Sequence, residues 1–151
     1  ITYLQLQSLL DAAAPKGLRR YWKSGYFTEL NDDLIEIYIR NIASRTSSMS
    51  VVLFFHIRGA ITRMDPNATA FAHRLDQWDS DIISQWIDAE DDETHLSWAR
   101  KFWKEVEPFA QGVYVNHLDA DDSSRLKNAY GKHYRRLQEI KATYDPDIFL
   151  D

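Results

Sequence analysis

The 151-residue sequence predicts an α+β fold: a mainly antiparallel sheet covered by helices on one face, finished by C-terminal helices. Three observations predict it. Apolar residues recur at helical spacing in several stretches, β-branched and aromatic runs of strand length lie between them, and no repeat or long linker divides the chain. The length suits one domain with its own core.

The elements follow in order. Tyr3 to Ala14 reads as a helix stopped by Pro15 and Gly17, and Tyr21 to Leu30 as an extended, aromatic-rich segment. Asn31 or Asp32 caps a helix whose apolar positions are Leu34, Ile35, Tyr38, Ile39 and Ile42. After the polar loop Ser44 to Ser50, the run Val51 to Ile57, continuing toward Ile61, reads as a buried strand. Asp65, Pro66 and Asn67 turn the chain into two more strands, Thr69 to Arg74 and Trp78 to Trp86, the second carrying Asp79 and Asp81 as solvated intrusions. The acidic stretch Asp88 to Glu93 opens a helix with the buried stripe Leu96, Ala99, Phe102, Trp103 and Val106, closed by Pro108. Val113 to Leu118 is a short strand ending in the acidic turn Asp119 to Asp122. Ser123 then caps the first of two helices, with the stripe Leu126, Ala129, Tyr130, Tyr134, Leu137, Ile140 and Tyr144, a break at Gly131, and a stop at Asp145 and Pro146.

Composition excludes several classes. Five Trp, 8 Tyr and 7 Phe supply more buriable surface than a disordered chain carries, and the absence of Cys excludes a disulfide scaffold. A net charge of -5 argues against a nucleic-acid partner. No apolar run approaches the roughly 18 residues that span a bilayer. Ile1 opens the chain without an initiator Met, a basic leader or a cleavage-site pattern, so the expectation is a fragment or processed product located in the cytoplasm.

Chemistry-bearing residues were weighed against packing. The five glycines stand too far apart to cradle a phosphate, and the five histidines lack the spacing of a zinc site, so no metal is expected. Asp119, Asp121 and Asp122 imitate the start of a calcium loop, but Ser124 and Tyr130 occupy the places of its glycine and terminal glutamate. The segment GVYVNHLD is the candidate site, because Tyr114, Asn116 and His117 crowd three polar groups into an apolar run. On an ideal strand Tyr114 and Asn116 share a face and His117 points away, so the three converge only if the chain turns just after Asn116.

GVYVNHLD followed by RLKNAYGKHYRRLQEIKATYDPDIF resembles the C-terminal signature of berberine-bridge-enzyme-like FAD-linked oxidoreductases of the vanillyl-alcohol-oxidase superfamily. LQSLLDAAAPKGLRRYWKS, HIRGAITRM, TAFAHR and DDETHLSWARKFWKEVEPFAQG are similar to the substrate-binding region of bacterial members. The resemblance implies residues 1–111 as a substrate-binding region and 112–151 as the C-terminal segment, with the N-terminal FAD-binding domain absent. It further implies FAD as cofactor, with Asn116 and Tyr114 beside its ring, and His117 standing where many members place a tyrosine base; Tyr114 or a residue of the missing domain are the other candidates for that role. His56, Arg58, Phe71 and His73 are the implied substrate contacts, and a lone Arg58 favours a carboxylate or otherwise polar substrate. The implied partners are an alcohol, sugar or activated C–H substrate and the FAD-binding domain of the same protein, with self-association through an exposed wall. The competing expectation is a stand-alone ligand-binding or dimerising module.

Overall fold

The computed structural model describes residues 1–9, 11 and 15–147, with the side chains of 120, 121 and 123 left aside. Within it, three strands form one antiparallel sheet in the order β1-β3-β2: β1 Arg19–Phe27, β2 Val51–Ile57 and β3 Gln77–Trp86. Ile82 of the central strand faces Lys23 on one side and Val52 on the other. Because side chains alternate across a strand, Trp78, Ser80, Ile82, Ser84 and Trp86 point to one face, and Gln77, Asp79, Asp81, Ile83 and Gln85 to the other.

Two amphipathic helices cover the first face, α2 Asp32–Ala43 and α4 Asp92–Val106. The Asn31 side chain accepts the Leu34 N–H at 2.9 Å, so the predicted cap is real. Tyr38 centres the packing. Its ring stands 5.2 Å from Phe102, 4.8 Å from Phe54 and 6.3 Å from Phe27, and its hydroxyl donates to Ser80 Oγ at 2.8 Å. That bond satisfies a serine on an otherwise apolar face, while burial pushes the Tyr38 phenol up. Phe27, Leu34, Ile82, Ala99, Phe102 and Val106 have no exposed surface, and each large member contributes about 2 kcal/mol by leaving water. Ile35 and Ile39, expected in the stripe of α2, remain exposed, since the buried line runs through Leu34, Tyr38 and Asn41.

The sheet is smaller than the sequence predicts. Among the described residues of the first predicted helix, α1 Tyr3–Gln7 is regular; the expectation for residues 10 and 12–14 lies outside the described residues. The strand from Val51 is not buried, since β2 is an edge strand that leaves Phe54 and Phe55 exposed, and it ends at Ile57, where Gly59 at a φ of 76° turns the chain into α3 Ala60–Arg63. Thr69 to Arg74 is not a strand. Its polar side chains bond locally, with Arg74 Nη2 donating to Thr69 Oγ1 at 2.6 Å, and His73 turns toward the carbonyls of Asn128 and Ala129. Val113 to Leu118 is not a strand either. Gly112 makes one bridge to Tyr26, with the Tyr26 N–H donating to its carbonyl at 2.9 Å, and Val115–His117 then forms a 3-10 turn.

The C-terminal region carries a second 3-10 turn, Ala120–Arg125, ahead of α5 Leu126–Tyr130 and α6 Tyr134–Tyr144. Ser123 lies inside that turn rather than capping α5, whose first flanking residue is Arg125. The break at Gly131 is present, at a φ of 51°. The apolar stripe of α6 is not core: Ile140 and Tyr144 stay exposed and line an open groove of about 910 Å³. The final residues of the quoted tail motif, 148–149, lie outside the described residues.

Close approach explains Gly112. A Cβ there would lie 2.3 Å from the His73 ring, so Gly112→Ala is expected to lower unfolding free energy by about 1–3 kcal/mol in denaturant titration. Unchanged stability would show that the His73 ring can move aside at no cost.

Candidate active site

The uncovered face of β3 presents two carboxylates, and neither is solvated as the sequence suggested. Asp79 is 5% and Asp81 2% exposed. Alternation from a solvent edge would have left them wet, but the C-terminal segment crosses this face and seals it. Among the described residues, Asp79 Oδ1 and the neighbouring Ser24 Oγ have no hydrogen-bond partner, and Ser24 stands directly opposite Asp81 in the β1–β3 register.

The 3-10 turn delivers the missing partner. His117 Nδ1 lies 2.9 Å from Asp81 Oδ1, off the direction of a well-aligned hydrogen bond, so the contact is chiefly an ion pair. Burial alone would lower the imidazole, yet the contact with Asp81 and the fields of Asp81 and Asp79 outweigh it and hold His117 above its ordinary range. Burial, reinforced by the charge of Asp81 and opposed by His117, pushes Asp79 up to about 6. One ligand-type atom from each of Asp79, Asp81 and His117 lies within 4.8 Å of the others. Spacing along the chain, on which the expectation of no metal rested, does not register this cluster. Asp79 and His117 both titrate in the field of the Asp81 carboxylate and of each other.

The turn also solves the problem of direction. Tyr114 and His117, which a strand would point apart, bring their rings to 5.1 Å, because the chain bends from Val115 onward rather than after Asn116. Asn116 Nδ2 donates to the Tyr114 hydroxyl at 2.9 Å. Trp22 lies 5.7 Å from His117, and Phe71 lies 6.2 Å from Tyr114 and 6.3 Å from His73. A cavity of about 240 Å³ opens between Phe71, His73, Tyr114, Val115 and Tyr130. His73 is pushed down by burial, against the raising effect of its bonds to the Asn128 and Ala129 carbonyls.

Phe71, His73, Tyr114, Asn116 and His117 therefore gather in one region, although Phe71 and His73 arrive on an irregular segment instead of a strand. His56 and Arg58 do not join them. His56 lies across from Trp78 on the helix-covered face, stacks on it at 4.3 Å, and pairs with Asp76 at 2.6 Å. Arg58 is exposed beyond the end of β2.

Residues 113–150 match the family described as berberine and berberine like. An FAD-linked oxidoreductase of Dictyostelium discoideum is 29% identical over 99% of this chain. The chain is similar along nearly its whole length to FAD-linked oxidoreductases, and its C-terminal segment matches the berberine-like family. Among further berberine-bridge-enzyme-like matches, tetrahydroberberine oxidase of Berberis wilsoniae is 26% identical over 96% of the chain. The solved structure of GilR, an oxidoreductase that catalyses the terminal step of gilvocarcin biosynthesis, superposes with a TM-score of 0.77 at 30% identity over 86% of the chain. That of CrmK, a flavoenzyme of caerulomycin biosynthesis, gives 0.80 at 25% identity over 97%. The chain spans about a third of these berberine-bridge-enzyme-like relatives: 33% of the Dictyostelium protein, 31% of the Berberis oxidase and of GilR, and 34% of CrmK.

Sequence reasoning missed Asp79 and Asp81 as candidate site residues. The available signal was their spacing of two within a strand, which puts both carboxylates on one face. Their burial has a pH signature. A carboxylate raised from 3.8 to about 6 binds protons more tightly folded than unfolded, so its stability cost is absent below 3.8 and complete above 6. Asp79→Asn is expected to raise the melting temperature increasingly from pH 4 to 7, by the equivalent of about 2 kcal/mol, and an increment independent of pH would contradict the assignment.

Proposed function

We propose that the full-length protein is a flavin-dependent oxidoreductase and that this chain forms the substrate side of its active site. The Asp79–Asp81–His117 cluster beside Tyr114 carries the reading: a coupled, half-enclosed acid–base unit bordered by aromatic rings and a cavity. The residues present suit the ring end of a flavin. Asn116 is exposed and Tyr114 half-buried beside it, which offers polar contacts next to aromatic surface, while the five separated glycines provide no phosphate cradle in this chain. FAD, when bound, supplies the hydride acceptor.

His117 takes the proton from a substrate hydroxyl or activated carbon, and Asp81 stabilises the imidazolium that results. Below about pH 6, a protonated Asp79 keeps the unit from accumulating two uncompensated negative charges. Tyr114, fixed by the Asn116 amide, orients the substrate oxygen. With Arg58 outside the cluster and two carboxylates inside it, the pocket favours neutral or cationic substrates, such as alcohols and sugars, over carboxylates. Trp22, Phe71 and Tyr114 supply apolar ring faces for them. The FAD-binding domain of the same protein is the partner this surface would meet.

His117→Gln in the full-length protein is expected to preserve flavin binding, lower turnover by about 100-fold, and remove the limb of the pH profile that rises as the cluster loses its proton. Unchanged turnover and profile would exclude His117 as the base. Titration of this chain alone with FAD is expected to show no complex at micromolar concentration, that is, less than about 8 kcal/mol of binding. Tight binding would instead identify the chain as a self-sufficient flavin module.

A further inference from the structure

Beyond the cluster, an ionic clip fastens the C-terminal segment to the edge strand β1 one residue along from the rung of Asp81. Lys23 is 5% exposed, and its Nζ lies 2.8 Å from Asp122 Oδ1, itself on a residue 3% exposed. Arg125 reaches the same carboxylate at 3.2 Å, donates through Nη2 to the Ser24 carbonyl at 2.5 Å, and lays its guanidinium 4.3 Å over the Trp103 ring. The second carboxylate oxygen of Asp122 accepts the Asp119 N–H at 3.2 Å, closing the turn that follows His117.

The register gives the clip its meaning. Ser24 pairs with Asp81 and Lys23 with Ile82, so the segment leaving His117 is tied to β1 by Arg125 at the Ser24 carbonyl, on the rung of Asp81, and by Lys23, whose side chain lies on the other face. His117 meets Asp81 from the open face, and Arg125 grips Ser24 beside it. The segment between them is anchored at both ends. We propose that Asp122, held by Lys23 and Arg125, is a positioning residue that keeps His117 against Asp81. This inference rests on the reading of His117 as part of the acid–base unit.

Two buried cations around one buried carboxylate are an expensive way to close a surface turn, because each charge must be stripped of water. The arrangement is specific in return: removing Asp122 leaves two cations without their shared anion and frees the turn. The titratable groups that act on His117 are Asp81 and Asp79 on β3, with the Tyr114 ring 5.1 Å away on its own turn. Of these, Asp81 is in contact with the ring. If the clip fails, His117 moves away from Asp81 and titrates nearer its ordinary range, in the downward direction.

The test is the titration of His117 in the full-length, flavin-loaded protein, followed by NMR of selectively labelled histidine and assigned by its loss in His117→Gln. Asp122→Asn is expected to lower the His117 midpoint by about one pH unit and to slow turnover. Arg125→Lys keeps a cation but loses the forked grip, so it gives a smaller shift in the same direction and serves if Asp122→Asn does not fold. A His117 midpoint unchanged in whichever variant folds overturns the inference. The base reading fails separately: there, the NMR midpoint shifts but the pH profile of turnover does not follow it.

Discussion

Burying Asp79 and Asp81 on the open face of the central strand is the constraint from which the site follows. A carboxylate taken out of water is tolerated when a proton or a cation compensates it. Both solutions operate here: Asp79 is pushed up to about 6, and Asp81 faces the imidazole of His117 at 2.9 Å. The segment that seals the face is also the one that brings the compensating group. Covering the strand and building the site are therefore one event.

The other face has no comparable tension. Tyr38, Phe102, Phe27 and Ile82 pack by shape, and the polar intrusions Ser80 and Ser84 each find a local acceptor or donor in Tyr38 and the His95 carbonyl. This division of labour, an apolar face that supplies stability and a charged face that holds the candidate site, lets that face carry groups the core would reject. The cost of the buried carboxylates is met by packing across the sheet.

Legibility in the sequence divides along the same line. The Asn31 cap, the β2 run and the stripe of α4 were readable, because capping and periodicity act over a few residues. Tyr114, Asn116 and His117 were readable as a crowd of polar groups, but their convergence was not, since a 3-10 turn and a strand differ by a backbone bend that Val115 does not announce. Asp79 and Asp81 were misread as solvated because their cover lies far along the chain. The stripe of α6 erred the other way: helical spacing marks an apolar face and does not say what covers it.

The account stands on Asp81 and His117 acting as one proton-accepting unit. The most direct measurement is the rate of flavin reduction by substrate in the full-length protein carrying Asp81→Asn, His117→Gln, or both. A unit predicts strong non-additivity, with the double variant no more than a few-fold slower than the slower single variant. Losses that multiply, each substitution exacting its full effect in the presence of the other, would show that the two residues work independently and would contradict the account.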